Sequence, residues 1–260
     1  MHLPHDITAI LGNIFGPSLI VLSVLTAAEL LFPKERQSPS GRIAGIAFWI
    51  VYIPAATFIG EGFHMLWQAI GVKPLFVFRF DFTWMGLLNV LAAPIVGAML
   101  YDFFFYFYHR AQHRWLWRQH AVHHSIRDLN AVNSYHHISE PVLQAVFLIL
   151  PATLLYCDTG LTVPVMAVFV RLHASWIHSP TRFNLGPLRA VICDNRFHRI
   201  HHSLETAHFD KNFGAFTTLW DRLFGTAVFP EHHDWPTTGL ADVPQPTSIR
   251  TWLMLPLRLK

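Results

Sequence analysis

The stretch "YDFFFYFYHRAQHRWLWRQHAVHHS", Tyr101 to Ser125, decides how this chain is read. It begins as a run of aromatic rings suited to lipid and ends in five histidines: His109, His113, His120, His123 and His124. On a helix, residues three and four apart share a face. At 100° per residue the five imidazoles fall within an arc of roughly 100°, and Asp102, seven residues before His109, falls inside it. A straight helix would still set His109 and His124 about 22 Å apart at 1.5 Å per residue. Metal–imidazole bonds are about 2.0–2.1 Å long, so a shared site requires a bend between His113 and His120. The spacing of His120, His123 and His124 recurs at His198, His201 and His202.

Composition sets the surroundings of these histidines. The 260 residues are 52% hydrophobic and 13% charged, about half the charged share of an ordinary soluble domain. With 22 Phe and 9 Trp, this suits a chain with much of its surface in lipid. The net charge of +3 is small and its Lys and Arg residues are scattered, which excludes a nucleic-acid partner. Cys157 and Cys193 form no CxxC pair, so there is no disulfide framework and no thiolate metal motif. Thirteen of the 18 histidines lie between His109 and His208, a local concentration.

Working outward, residues 7–32 are long and apolar enough to span a bilayer. The start "MHLPHD" lacks Lys and Arg, and no small-x-small site follows the apolar run, which argues against a cleaved leader. "PKERQSPSGR" (33–42) reads as a basic, turn-rich loop. Residues 43–70 are a second apolar segment, with Pro54 inside it and Glu61 and His64 on one face. "KPLFVFRFDFT" (73–83) alternates like a strand, and residues 84–108 are a third span. Residues 141–178 read as an apolar helical hairpin broken near "CDTGLTVP" (157–164). Basic loops stay cytoplasmic, so loop 33–42 inside puts every histidine cluster on the cytoplasmic side. The expected fold is all-α: an integral membrane helical bundle of about four spans or half-spans with a cytoplasmic, histidine-rich helical cap. Its expected parts are N-terminal transmembrane helices (1–94), a catalytic domain (95–230) and a C-terminal tail (231–260).

The number of imidazoles limits the chemistry. A catalytic base needs one histidine, and a structural zinc ion needs about four ligands. A proton relay would interleave carboxylates, and the clusters contain none. The histidines of the three clusters exceed the needs of one ion and suit two. Imidazole ligation fits Zn, Cu, Fe or Ni and lacks the carboxylates of soluble di-iron bundles. Spacing leaves iron and zinc open.

At these residues the sequence resembles the membrane-bound fatty acid hydroxylase / sterol desaturase superfamily. "HRAQH" (109–113), "HAVHH" (120–124) and "HRIHH" (198–202) look like its histidine boxes. "YHHISEP" (135–141) is similar to a His-Pro-x-Glu stretch, which picks out His137 and Glu140, with Ile138 in the proline's place. "WIHSPTRFNLGPLR" (176–189) resembles the segment that supplies a further histidine, here His178, with His173 a weaker candidate. "DKNFGAFTTLWDRLFGT" (210–226) matches the signature tail. The likeness covers residues 95–230.

The resemblance implies a membrane oxidoreductase with two iron ions and O2 as co-substrate, which hydroxylates or desaturates an unactivated C–H bond of a lipid. The implied metal ligands are His109, His113, His120, His123, His124, His137, His178, His198, His201 and His202. Asp102, Glu140, Asn195, Asn212 and Asp221 are candidates to orient those imidazoles from behind. No His-Pro-Gly-Gly and no GxGxxG occurs, so electrons must come from a separate protein, a ferredoxin or a b-type cytochrome with its reductase. Two other classes stand beside this reading. A membrane metal transporter would hold its ligands near the bilayer midplane, whereas here they follow the spans. A zinc-dependent lipid hydrolase would need a carboxylate base, for which Glu140 and Glu205 are the choices.

Overall fold

The structure, a computed structural model, describes residues 7–81, 83–158 and 163–259. The start "MHLPHD" and the centre of the expected break, 159–162, lie outside the described residues. The chain is mostly helical: α1 (Ile7–Leu31), α2 (Pro39–Ala69), α3 (Asn89–Trp115), α4 (Trp117–His124), α5 (Glu140–Gln144), α6 (Leu150–Leu154), α7 (Val163–Trp176), α8 (Asn195–His201), α9 (Leu219–Leu223) and α10 (Ile249–Arg258). A π-helical turn, Ala145–Ile149, joins α5 to α6.

Among the described residues, α2 is the one helix long and apolar enough to cross a membrane. Ser38 begins it, with its side chain accepting the Gly41 amide and Pro39 at the first turn, where a missing N–H costs nothing. Ile43, Ile46, Ile50, Phe58 and Met65 of α2 stand exposed. Ser18–Leu31 and Glu140–Leu154 are shorter apolar helices.

An all-α fold needs one correction. The alternating 73–83 segment forms β1 (Phe76–Arg79), which pairs in parallel with β2 (Leu155–Asp158). The apolar run after α6 therefore leaves the helix before the expected break. Parallel strands require a long crossover, here the whole of α3 to α6.

The main core explains how the histidines of α4 come to face one way. Val122, Ile126, Leu129 and Tyr135 pack with Phe48 and Tyr52 of α2 and Trp252 and Leu255 of α10. Phe48 lies 4.1 Å from Tyr135 and 4.9 Å from Trp252, ring centre to ring centre. Val122 thus anchors the back of α4, and His120, His123 and His124 point from its other side. The loop after α4 presses on α2 at Gly45, where a Cβ would sit 2.6 Å from the Val132 carbonyl oxygen. The Trp49 indole donates to that same oxygen at 2.7 Å.

A second contact positions the segment after α7. The Lys34 amide donates to Pro180 O and the Arg182 amide to Phe32 O, which ties the end of α1 beside His178. Asn195, at the start of α8, donates to Ser179 O and Thr181 O at 3.0 Å each.

Trp252 is wholly buried and its indole N–H donates to His136 O at 2.9 Å. Trp252→Ala should therefore cost about 3–5 kcal/mol, read as a lower unfolding midpoint of the detergent-solubilised protein.

Candidate metal centre

The bend required by the spacing falls at Leu116, between α3 and α4, where the backbone leaves the helix (φ −118°, ψ 24°). It folds the second box onto the first. His109 Nε2 and His120 Nε2 lie 2.9 Å apart, where a straight helix would separate them by about 16 Å. Asp194 caps α8 by accepting the Arg196 and Phe197 amides, and Phe197 packs against Ile177 and Cys193. This turns the third box onto the other two.

Nine imidazoles converge in two adjacent groups. His109, His113, His120, His124 and His201 form one, and His123, His178, His198 and His202 the other. Within each group the ligand-capable nitrogens all lie within 4.8 Å of one another. The two groups touch: His124 and His202 stack at 4.5 Å. Each HxxHH box is divided between them. On α4 the i and i+4 histidines join the five-membered group and His123 joins the other. On α8 the i and i+4 histidines join the four-membered group and His201 crosses over.

All of these rings except His113 are buried. Burial, with neighbouring imidazoles second, holds His120, His123, His124, His198, His201 and His202 well below the usual histidine value. They are neutral at pH 7, as metal ligation demands.

Backbone carbonyls hold several rings in one tautomer. Nδ1 of His109 donates to Phe213 O (2.7 Å), of His123 to Tyr135 O (3.1 Å), of His178 to Ala174 O (2.6 Å) and of His201 to Lys211 O (2.8 Å). A carbonyl cannot donate, so each of these Nε2 atoms carries a bare lone pair. His123 Nε2 and His178 Nε2 nevertheless face each other at 3.1 Å. Two acceptors cannot hydrogen-bond, and burial opposes a proton between them. His201 Nε2 is likewise buried with no hydrogen-bond partner. Two nitrogens on metal bonds of about 2.0–2.1 Å at a right angle lie about 3 Å apart. The donor set and its geometry fit a cation in each group.

His137 lies outside both groups. Its Nδ1 pairs with Ser139 Oγ at 2.8 Å and its Nε2 meets Leu253 O at 3.3 Å, because the turn leading into α5 aims it toward α10. The histidine that reaches the centre from this segment is His136, which stacks on the His123 ring at 3.9 Å and 14°. Burial pushes its imidazole down to about 3. The doublet His136-His137 in the sequence was the available signal for it. His173 packs on Phe216 (4.7 Å) and Trp176 (5.6 Å) instead.

Among the described residues, the five expected behind the imidazoles hydrogen-bond to other groups and not to the rings. Asp102 accepts the amides of Ala215, Phe216 and Thr217 at 2.9–3.0 Å. Asp221 accepts those of Phe213 and Gly214, at 2.8 and 2.7 Å, and the Thr226 hydroxyl. Asn212 spans Phe197 O and Val228. Asn195 holds the His178 segment, and Glu140 accepts from Tyr108, Gln112 and Gln144. Asp102, Asp221 and Asn212 therefore act one step further out. They fix the 211–217 turn, whose Lys211 and Phe213 carbonyls orient His201 and His109. Gly214 lies where a Cβ would collide with Thr217 O and crowd the Asp221 and Asp102 carboxylates at 3.0 and 3.2 Å.

The fold and site define a class: a mostly helical chain around a buried double nest of imidazoles. A family model described as fatty acid hydroxylase matches residues 94–226, just over half of the chain, and the chain belongs to that family. It is 33% identical to human alkylglycerol monooxygenase over 132 residues, covering 48% of this chain and 28% of that protein. It is 28% identical to the Rhizobium tropici ornithine lipid hydroxylase OlsE over 221 residues, 80% of this chain and 65% of that protein. Methylsterol monooxygenase 1 of Danio rerio is 30% identical over 175 residues, 64% and 58% of the two chains. The chain thus spans from 28% to 65% of the length of these relatives. No solved structure matches it significantly.

Two outcomes follow from the buried site. Asp221→Ala leaves the Phe213 and Gly214 amides unpaired, at about 1–3 kcal/mol each, and should lower the unfolding midpoint accordingly. The depressed histidines set the pH dependence of the metal-free protein. His136 titrates near 3 when folded, against an ordinary 6.5, so between those values the unfolded chain binds more protons. Stability is intact above about pH 6.5 and falls as pH drops below it, by up to about 1.4 kcal/mol per pH unit for each such histidine. Thermal unfolding across that range checks the sign.

Proposed function

We propose that each histidine group holds one iron ion, and that the pair oxidises an unactivated C–H bond of a membrane lipid with O2 and external electrons. The observation that carries this reading is the His123–His178 contact, two committed acceptors facing each other at 3.1 Å in a buried interior. Five Nε2 atoms converging on one side and four on the other supply the donor set. The names of the relatives, monooxygenases and hydroxylases acting on lipids, support hydroxylation as the outcome.

When bound, the iron pair supplies activation of O2 for attack on the C–H bond. The chain's part is placement and dryness. The carbonyls of Phe213, Tyr135, Ala174 and Lys211 hold the rings in the tautomer that presents Nε2. The packed boxes bury all four rings of one group and all but His113 of the other. On α3, the ring of Phe105 lies 5.2 Å from that of His109, and Phe103 and Phe107 pack at 5.1 Å. These rings suit an apolar chain arriving from lipid. In this reading α1, α2, α3 and the 141–178 segment embed in the bilayer. The histidine cap faces the cytoplasm, where a separate ferredoxin or b-type cytochrome delivers electrons. The zinc hydrolase reading draws no support from the carboxylates. Glu140 is occupied by Tyr108, Gln112 and Gln144, and Glu205 sits outside near His208.

Metal analysis of the purified protein should find two iron ions per chain. Iron-loaded protein in lipid vesicles, given a reductant and O2, should yield a lipid heavier by one oxygen or lighter by two hydrogens. His201→Ala should lower turnover by more than about 100-fold, while His137→Ala should keep both metal and turnover. Full activity in His201→Ala defeats the reading.

A further inference from the structure

We propose that His113 and Asp210 form the door through which a divalent metal ion enters and leaves the five-histidine group, an inference that rests on that group holding metal. His113 differs from the other eight imidazoles in two respects that point the same way. It is the one ring of either group that is not fully buried. Its Nδ1 also donates to a side chain, Asp210 Oδ1 at 3.1 Å, whose carboxylate is 76% exposed. The anchored rings of His109, His123, His178 and His201 lean instead on carbonyls of packed backbone.

The loop that carries Asp210 is built unequally. Asp210 and Asn212 both adopt left-handed backbone, at φ 55° and 56°. Asn212 is pinned to Phe197 O and Val228 O, so Lys211 O stays fixed behind His201. Asp210 stands at the outer edge of the same turn, with His113 as its side-chain hydrogen-bond partner. One face of the carboxylate orients His113, and the rest of it meets water. An exposed anion at the mouth of a neutral imidazole nest attracts a hydrated cation. The His113 ring behind it is the first nitrogen that cation reaches. His113 Nε2 lies 3.2 Å from His124 Nε2, so the ion passes directly to the interior of the group. All four rings of the other group are buried, and none is anchored by an exposed carboxylate.

The test uses full-length protein in detergent, loaded with Fe(II) under anaerobic conditions and then challenged with a chelator. Metal retained is counted at intervals. Asp210→Gly removes the carboxylate and tolerates the left-handed backbone. It should speed loss of one of the two ions by about 10-fold or more and leave the other rate unchanged. Asp210→Asn keeps an acceptor for His113 and loses the charge. It should release metal at nearly the wild-type rate but load more slowly, with a weaker dependence on salt. Unfolding midpoints of the metal-free variants should match wild type. Release of both ions unchanged in Asp210→Gly, or both accelerated equally, overturns the door alone. A wild-type chain that binds no metal overturns the reading of the site and the door with it.

Discussion

Two lone pairs directed at each other across 3.1 Å, on His123 and His178, express the constraint around which this protein is built. In a water-excluded interior such a contact is repulsive unless a positive charge lies between the nitrogens. His120, His198 and His202 sit in the same two groups, and burial suppresses their protonated state as well. The fold must therefore hold acceptors together against their own repulsion, and it does so with groups that sit further out.

Those groups form layers. Nearest the rings are backbone carbonyls, which leave His109, His123, His178 and His201 no choice of tautomer. Behind them stand Asp102 and Asp221, which together accept five backbone amides of the 213–217 turn. Behind α4 lies the apolar cluster of Phe48, Tyr135, Val122 and Trp252. A buried carboxylate that accepts several amides fixes a turn more firmly than one bonded to a single ring. This explains why the signature tail spends Asp221 on its own backbone. Rigidity built this way serves metal chemistry, where small errors of ligand direction are costly. Asp210 is the exception, an anchor exposed to water on the only group member that is itself partly open.

The division of each HxxHH box between two groups has a simple origin. On a helix, i and i+4 lie about 40° apart and i+3 falls about 60° to the other side of i. One box can therefore serve two centres that sit side by side. The α4 and α8 boxes use this in opposite senses, giving two i, i+4 pairs to opposite groups and sending one histidine each across. Adjacent imidazole groups thus emerge from two short helices facing each other.

Much of this was legible in the sequence. The spacing of His109 to His124 announced a common helix face, and the distance along a straight helix demanded a bend, which Leu116 supplies. Nine of the ten histidines named from sequence meet in the two groups, and the alternation of residues 73–83 foretold β1. These features are local, set by the period of the backbone and the short reach of a metal bond. What the chain folded in three dimensions decided is of another kind: that His136 rather than His137 stacks against the centre, that β2 interrupts the 141–178 hairpin, and that Asp102, Asp221 and Asn212 grip backbone rather than imidazoles. Each depends on which distant segment arrives beside which side chain. A helix period records the direction in which a residue points, and it carries no information about the partner that packing brings there.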